Sequence, residues 1–152
     1  ESLKRPDVLV YTTPPLEKSV DVTGPLQAVL SVSSSAKDTD FIVRLLDVDA
    51  DGKTFPLART VLRARYREGF NKKVWMSAGK TYRLSIDLHG TGNQFAAGHR
   101  VRVEIASSAF PTYARNLNTG GDNYRDTRAV VANNQVHHSA GQSAYILLPI
   151  IP

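Results

Sequence analysis

Apolar and polar side chains alternate with a period of two along most of this chain. Leu26, Ala28, Leu30 and Val32 share one face of a run that ends in the polar stretch Ser33 to Lys37. Tyr82, Leu84, Ile86 and Leu88 alternate with Thr81, Arg83, Ser85 and Asp87, and Val101, Val103 and Ile105 with Arg100, Arg102 and Glu104. Val8 and Val10 do the same before the Pro14-Pro15 break. Neighbouring side chains on a strand point to opposite faces, so each run predicts a strand with one buried side. Phe41, Val43 and Leu45 follow this rule, but Ile42 and Leu46 make their strand apolar on both faces. The chain closes with Tyr145-Ile146-Leu147-Leu148-Pro149-Ile150-Ile151.

Between the runs lie the turn dipeptides Asp51-Gly52, Ala78-Gly79, His89-Gly90 and Ala97-Gly98. No segment keeps an i, i+3, i+4 apolar stripe for three turns, so little helix is expected; the best stretch is a short turn from Gly92 to Ala97. Short strands separated by loops predict an all-β sandwich or barrel. Residues 1–152 fit a single domain, long enough to build a core without staples.

Composition narrows the functional classes. With no cysteine there is neither a disulfide framework nor a thiolate metal site. No run of 18 apolar residues and no leader pattern is present, which predicts neither a membrane span nor a signal. The chain opens at Glu1 rather than methionine, which reads as a trimmed or excised piece. The net charge of +5 would suit an acidic partner. Arg59, Arg63, Arg65, Arg67, Lys72, Lys73 and Lys80 lie close together, but Arg63, Arg65 and Arg67 alternate with Leu62, Ala64 and Tyr66. That spacing predicts the outer row of one strand, a solvated or domain-docking face rather than a nucleic-acid site.

Candidate chemistry is thin. Asp47, Asp49, Asp51 and Gly52 have the D-x-D-x-D-G spacing of a calcium loop, but its twelfth position is Ala58, where a bidentate glutamate belongs. Asp51-Gly52 reads more simply as a tight turn. Gly141-Gln142-Ser143-Ala144-Tyr145 misses the second glycine of a nucleophile elbow, and a strand rather than a helix follows it. His137 and His138 are adjacent, so on a strand their rings face opposite ways and cannot share a metal. His89 and His99 flank one loop without a third ligand, and His99 fits a hydrogen-bonded structural role. Asp38 and Asp40, before an apolar strand, fit bonds that fix a turn better than a glycosidic acid pair. The stretch SSAFPTYARNLNTGGDNYRD, Ser107 to Asp126, is rich in groups that bond local backbone and holds no nucleophile with a base in reach. It reads as a loop built to be ordered.

Longer strings carry a more specific signal. DVLVYTTPPLEKSVDVTGP, DTDFIVRLLDVDADGK, LRARYREG, AGHRVRVEIASSAFPTYARNLNTGG and ILLPIIP occur in that order. Together they resemble the C-terminal domain of the X-prolyl dipeptidyl peptidase, cocaine esterase and α-amino acid ester hydrolase family, from about Pro6 to Pro152. The resemblance implies a jelly-roll β-sandwich of the galactose-binding-like type. It implies that the Ser-His-Asp triad and oxyanion hole belong to a preceding α/β-hydrolase domain, absent from this chain, onto which the sandwich docks. No family nucleophile, acid or base falls on a residue here, and no cofactor is implied. An ordering role is implied for Arg115, Asn116, Asn118 and Gly120. The segment HHSAGQSAY departs from the His-Pro-Ser-His type found in the family.

Tyr66, Phe70 and Trp75, with the nearby arginines, form the expected docking patch for the hydrolase domain, and homo-oligomer contacts are a further expected use of the surface. The rival expectation is a free-standing carbohydrate-binding module on the same scaffold, with Tyr113 and Tyr124 beside Trp75 as stacking surfaces.

Overall fold

The structure, a computed structural model, describes residues 4–152. Its strands are β1 (Val8–Thr12), β2 (Val20–Ser34), β3 (Asp40–Val48), β4 (Thr54–Arg63), β5 (Tyr82–Phe95), β6 (Arg100–Ala106), β7 (Asn134–Val136), β8 (Tyr145–Leu147) and β9 (Ile150–Ile151). They form two antiparallel sheets, one in the order β1-β6-β3-β4. In the other, β2 pairs with β5 along one edge and with β7, β8 and β9 in succession along the other. The all-β sandwich follows from the period-two runs, because each sheet has an apolar face that water must not reach.

The core lies between the sheets. Leu26, Ala28, Leu30 and Val32 of β2 and Leu84, Ile86 and Leu88 of β5 meet Phe41, Val43 and Leu45 of β3 and Ile105 of β6. β3 is central in its sheet, and Ile42 and Leu46 on its far face are buried as well. The two-sided apolar pattern thus marks a strand covered on both sides.

Three local expectations fail for identifiable reasons. Gly92 to Ala97 is not a helical turn: β5 runs to Phe95, with Gly92 opposite Thr23. The pairing of Val20 to Gly24 with Thr91 to Phe95 outweighs the weak local preference. His89-Gly90 is not a reversal either. Pro25 pairs with Gly90 and Gln27 with Asp87, so Leu88 and His89 together oppose Leu26. His89, at φ 66°, sits in that β-bulge. Finally, Arg63, Arg65 and Arg67 are not one outward row. β4 stops at Arg63, and Ala64–Tyr66 forms a 3-10 turn in which Ala64 and Arg65 are buried. The Ala64 amide bonds the Thr39 carbonyl, which tucks the turn against the start of β3.

Leu45 is fully buried at the centre of this packing. Leu45→Ala is expected to cost about 2–5 kcal/mol in urea unfolding, as a large-to-small change in a closed core does.

Candidate functional site

The sequence-singled residues Asp38, Asp40 and Asn116 meet at one end of the sandwich. Asp40 opens β3 and stands opposite Arg63, the last residue of β4. That register lets the Arg63 guanidinium grip the Asp40 carboxylate through two bonds, Nε–Oδ1 at 2.9 Å and Nη2–Oδ2 at 3.0 Å. Two residues on, the 3-10 turn brings Arg65 to Asp38. The Arg65 backbone N–H donates to Oδ1 at 2.8 Å and its Nε to Oδ2 at 2.7 Å. Both carboxylates are buried, and a buried charge is tolerable only when paired and hydrogen-bonded. Hydrogen bonding to Asp40 holds the Arg63 guanidinium above its ordinary pKa, against the opposing effect of burial.

Asn116 joins the two pairs. Its Nδ2 carries two hydrogens and donates at 2.7 Å to Asp38 Oδ2 and at 2.7 Å to Asp40 Oδ1. Its Oδ1 accepts the Asn118 N–H at 2.9 Å. Asn118, at φ 62°, turns the chain so that its own Nδ2 reaches the Val130 carbonyl at 2.9 Å. The arginines finish the attachment from below: Arg63 donates to the Ala114 carbonyl and Arg65 to that of Gly121. Gly120, at φ 79°, lies against Trp75, whose ring also carries the Arg65 guanidinium 5.0 Å above its centroid. Arg67 donates to the carbonyls of Ala64, Val74 and Trp75, binding the segment after the turn to itself.

Of the four loop residues, Asn116, Asn118 and Gly120 therefore lie in or against this hub. Arg115 does not; it is exposed, with its guanidinium 4.3 Å over the Phe110 ring. Asp38 and Asp40 fix more than a local turn, since their partners are more than twenty residues away. Sequence reasoning missed Arg63 and Arg65. The signal was present: Asp-x-Asp opens one strand and Arg-x-Arg closes the next, which is the spacing an antiparallel pair would match.

The other candidates are dispersed. Asp47 Oδ1 lies 2.9 Å from His99 Nδ1, which gives His99 its structural partner. Asp49 Oδ1 accepts the N–H groups of Asp51 and Lys53 and closes the turn. Among the described residues no three His, Asp or Glu converge as a metal set. His137 and His138 lie just past the end of β7 rather than on it; His137 bonds Ser33 and His138 bonds Tyr11. His89 is exposed beside Asp87, and Ser143 is exposed in the loop before β8. Tyr113 lies beneath the Arg59 guanidinium, while Tyr124 is 82% exposed. The Tyr66 and Phe70 rings lie with centroids 5.7 Å apart at a 41° tilt, and Phe70 is 87% exposed against 42% for Trp75. The site orders a loop. Its carboxylates already hold guanidinium and amide donors, which is not the arrangement of an acid–base pair.

Residues 1–147 match the family model described as the X-Pro dipeptidyl-peptidase C-terminal non-catalytic domain. The chain belongs to this family. It is 44% identical over 149 residues to cocaine esterase of Rhodococcus sp., covering 97% of this chain and 26% of that protein. It is 31% identical over 118 residues to a putative serine esterase of Mycobacterium bovis, covering 66% of this chain and 19% of that protein. Among solved structures it superimposes on an α-amino acid ester hydrolase with a TM-score of 0.92, at 30% identity over 97% of this chain and 26% of that one. An aminopeptidase from a Thaumarchaeota archaeon gives a TM-score of 0.90 at 30% identity, covering 98% of this chain and 26% of that one. The chain thus spans about a fifth to a quarter of the length of these relatives. As a member of this non-catalytic family its architecture is the β-sandwich of the C-terminal domain in ester hydrolases.

Asn116→Leu keeps the branched side-chain shape, with somewhat bulkier methyls, but removes a donor from each of two buried carboxylates. It is expected to lower stability by about 3 kcal/mol, since bonds to charged groups contribute roughly 1.5–3 kcal/mol each. Chemical denaturation of Asn116→Leu beside the exposed control Arg115→Leu checks this.

Proposed function

We propose that this chain is the scaffold domain of a longer serine hydrolase, of the X-Pro dipeptidyl peptidase or acyl esterase type. In this reading residues 1–152 fold as one domain, dock onto the α/β-hydrolase domain of the same protein, and shape the surroundings of its active site. The observation that carries the reading is the match to a non-catalytic family along residues 1–147, within relatives about four times as long.

The hub supports it physically. Ordering a loop of some twenty residues costs about 1–2 kcal/mol per residue in backbone entropy. Buried ion pairs that do nothing but hold such a loop are intelligible if the loop presents a surface. Phe70 of the β4–β5 connection and Tyr124 of the loop are almost fully exposed, and Val131 is 86% exposed beyond the Asn118–Val130 bond, among the exposed charges of Arg125, Asp126 and Arg128. In this reading these groups belong to one surface that the hydrolase domain covers, since contiguous apolar surface marks an interaction site. The patch is less basic than its sequence, because Arg63, Arg65 and Arg67 all turn inward to carboxylates or carbonyls. Trp75 serves partly as an internal clamp on Gly120 and Arg65, which leaves Phe70 as the main anchor.

Phe70→Asp tests the docking surface in the natural, full-length product. Because Phe70 is so exposed, the sandwich alone is expected to change by no more than about 0.5 kcal/mol. In the full-length protein the melting temperature and esterase or peptidase activity are expected to fall. Unchanged melting and unchanged turnover would remove Phe70 from the docking face.

A further inference from the structure

On the outer face of the four-stranded sheet, next along β3 from the hub, lies a cavity of about 270 Å³. Its floor is Val8 of β1, Ala106 of β6 and Ile42 of β3, and Phe110 of the long loop walls one side. Three guanidiniums reach it from separate parts of the chain: Arg5, Arg44 of β3 and Arg59 of β4. The register explains two of them. Arg44 stands directly opposite Arg59 on one side and Glu104 on the other, so the three form a row across the sheet.

That row is electrostatically uneven. Glu104, 2% exposed, holds Arg44 at 2.9 Å. Arg5 bonds Asp7 at 2.9 Å. Among the described residues Arg59 meets no carboxylate; its guanidinium lies 5.7 Å from the centroid of the Tyr113 ring. Like charges directly opposite on paired strands repel, and Glu104 relieves only the Arg44 side. An anion beside Arg59 would relieve the other.

We propose that this cavity binds a small aliphatic monocarboxylate. The planar fork of Arg59 matches the two oxygens of a carboxylate, with Arg44 adding to the local positive potential. The alkyl part lies on Val8 and Ala106 beside the Phe110 ring, above the buried Ile42. A cavity of this size is below the usual range for drug-sized ligands and suits a chain of a few carbons. The apolar floor and the Glu104 carboxylate disfavour a multiply charged ion such as phosphate. This inference stands apart from the docking reading, because it concerns the chain alone and needs no catalysis.

Titration of the isotopically labelled chain by NMR tests it, with sodium hexanoate as probe and with hexanol and inorganic phosphate as controls at fixed ionic strength. Saturable shifts at Ile42, Arg59 and Ala106 are expected with hexanoate and with neither control. Arg59→Gln is expected to weaken binding at least about tenfold, the loss of roughly 1.4 kcal/mol. Phe110→Ala keeps every charge and is expected to reduce the preference for hexanoate over butanoate. Hexanol binding as well as hexanoate, phosphate binding better, or Arg59→Gln binding unchanged would each overturn the proposal.

Discussion

Two buried carboxylates at the start of β3 set a constraint that much of the molecule answers. Asp38 and Asp40 sit where the four-stranded sheet ends and the long loop crosses. A buried carboxylate needs a guanidinium and further donors around it. Asp40 draws Arg63 across the β3–β4 ladder, and Asp38 draws Arg65, whose burial requires β4 to end and turn. The same acids then recruit Asn116, and through it the loop. Removing one member leaves the others buried and short of partners, so these groups behave as a unit rather than as separate contacts.

This arrangement explains how a loop with so many reactive-looking side chains can be chemically quiet. Asn116 has three of its bonding positions committed, Arg65 bridges a carboxylate and a carbonyl, and Trp75 is pressed against Gly120. What remains outward mixes the apolar Tyr124 and Val131 with the exposed Arg115, Arg125, Asp126 and Arg128. A rigid platform loses less entropy on association than a mobile loop would. The buried polar interior of this end therefore fixes the surface that lies above it. Membership of a non-catalytic domain family agrees with that division of labour.

The sandwich was legible because burial enforces alternation. Leu84, Ile86 and Leu88 could not face the core in any register but one, and the two-sided pattern of Phe41 to Leu46 named the central strand. The long loop was legible as an ordered element from its asparagines and glycines. Long-range pairing was not. Arg65 sits in an alternating run and looks solvated until Asp38 is placed beside it, twenty-seven residues away. His89-Gly90 has the composition of a turn, and only its position opposite Leu26 makes it a bulge. Arg115 carried the expectation of an ordering role, yet it is exposed and lies over the Phe110 ring of its own loop. For Arg65 and His89 a tertiary contact overrode a local preference.

The measurement that bears most directly on the scaffold reading is the intact mass of the natural gene product together with the length of its reading frame. A product several-fold longer than 152 residues, with a serine-hydrolase core upstream of this sandwich, is expected. A natural product of the same length as this chain would contradict that reading.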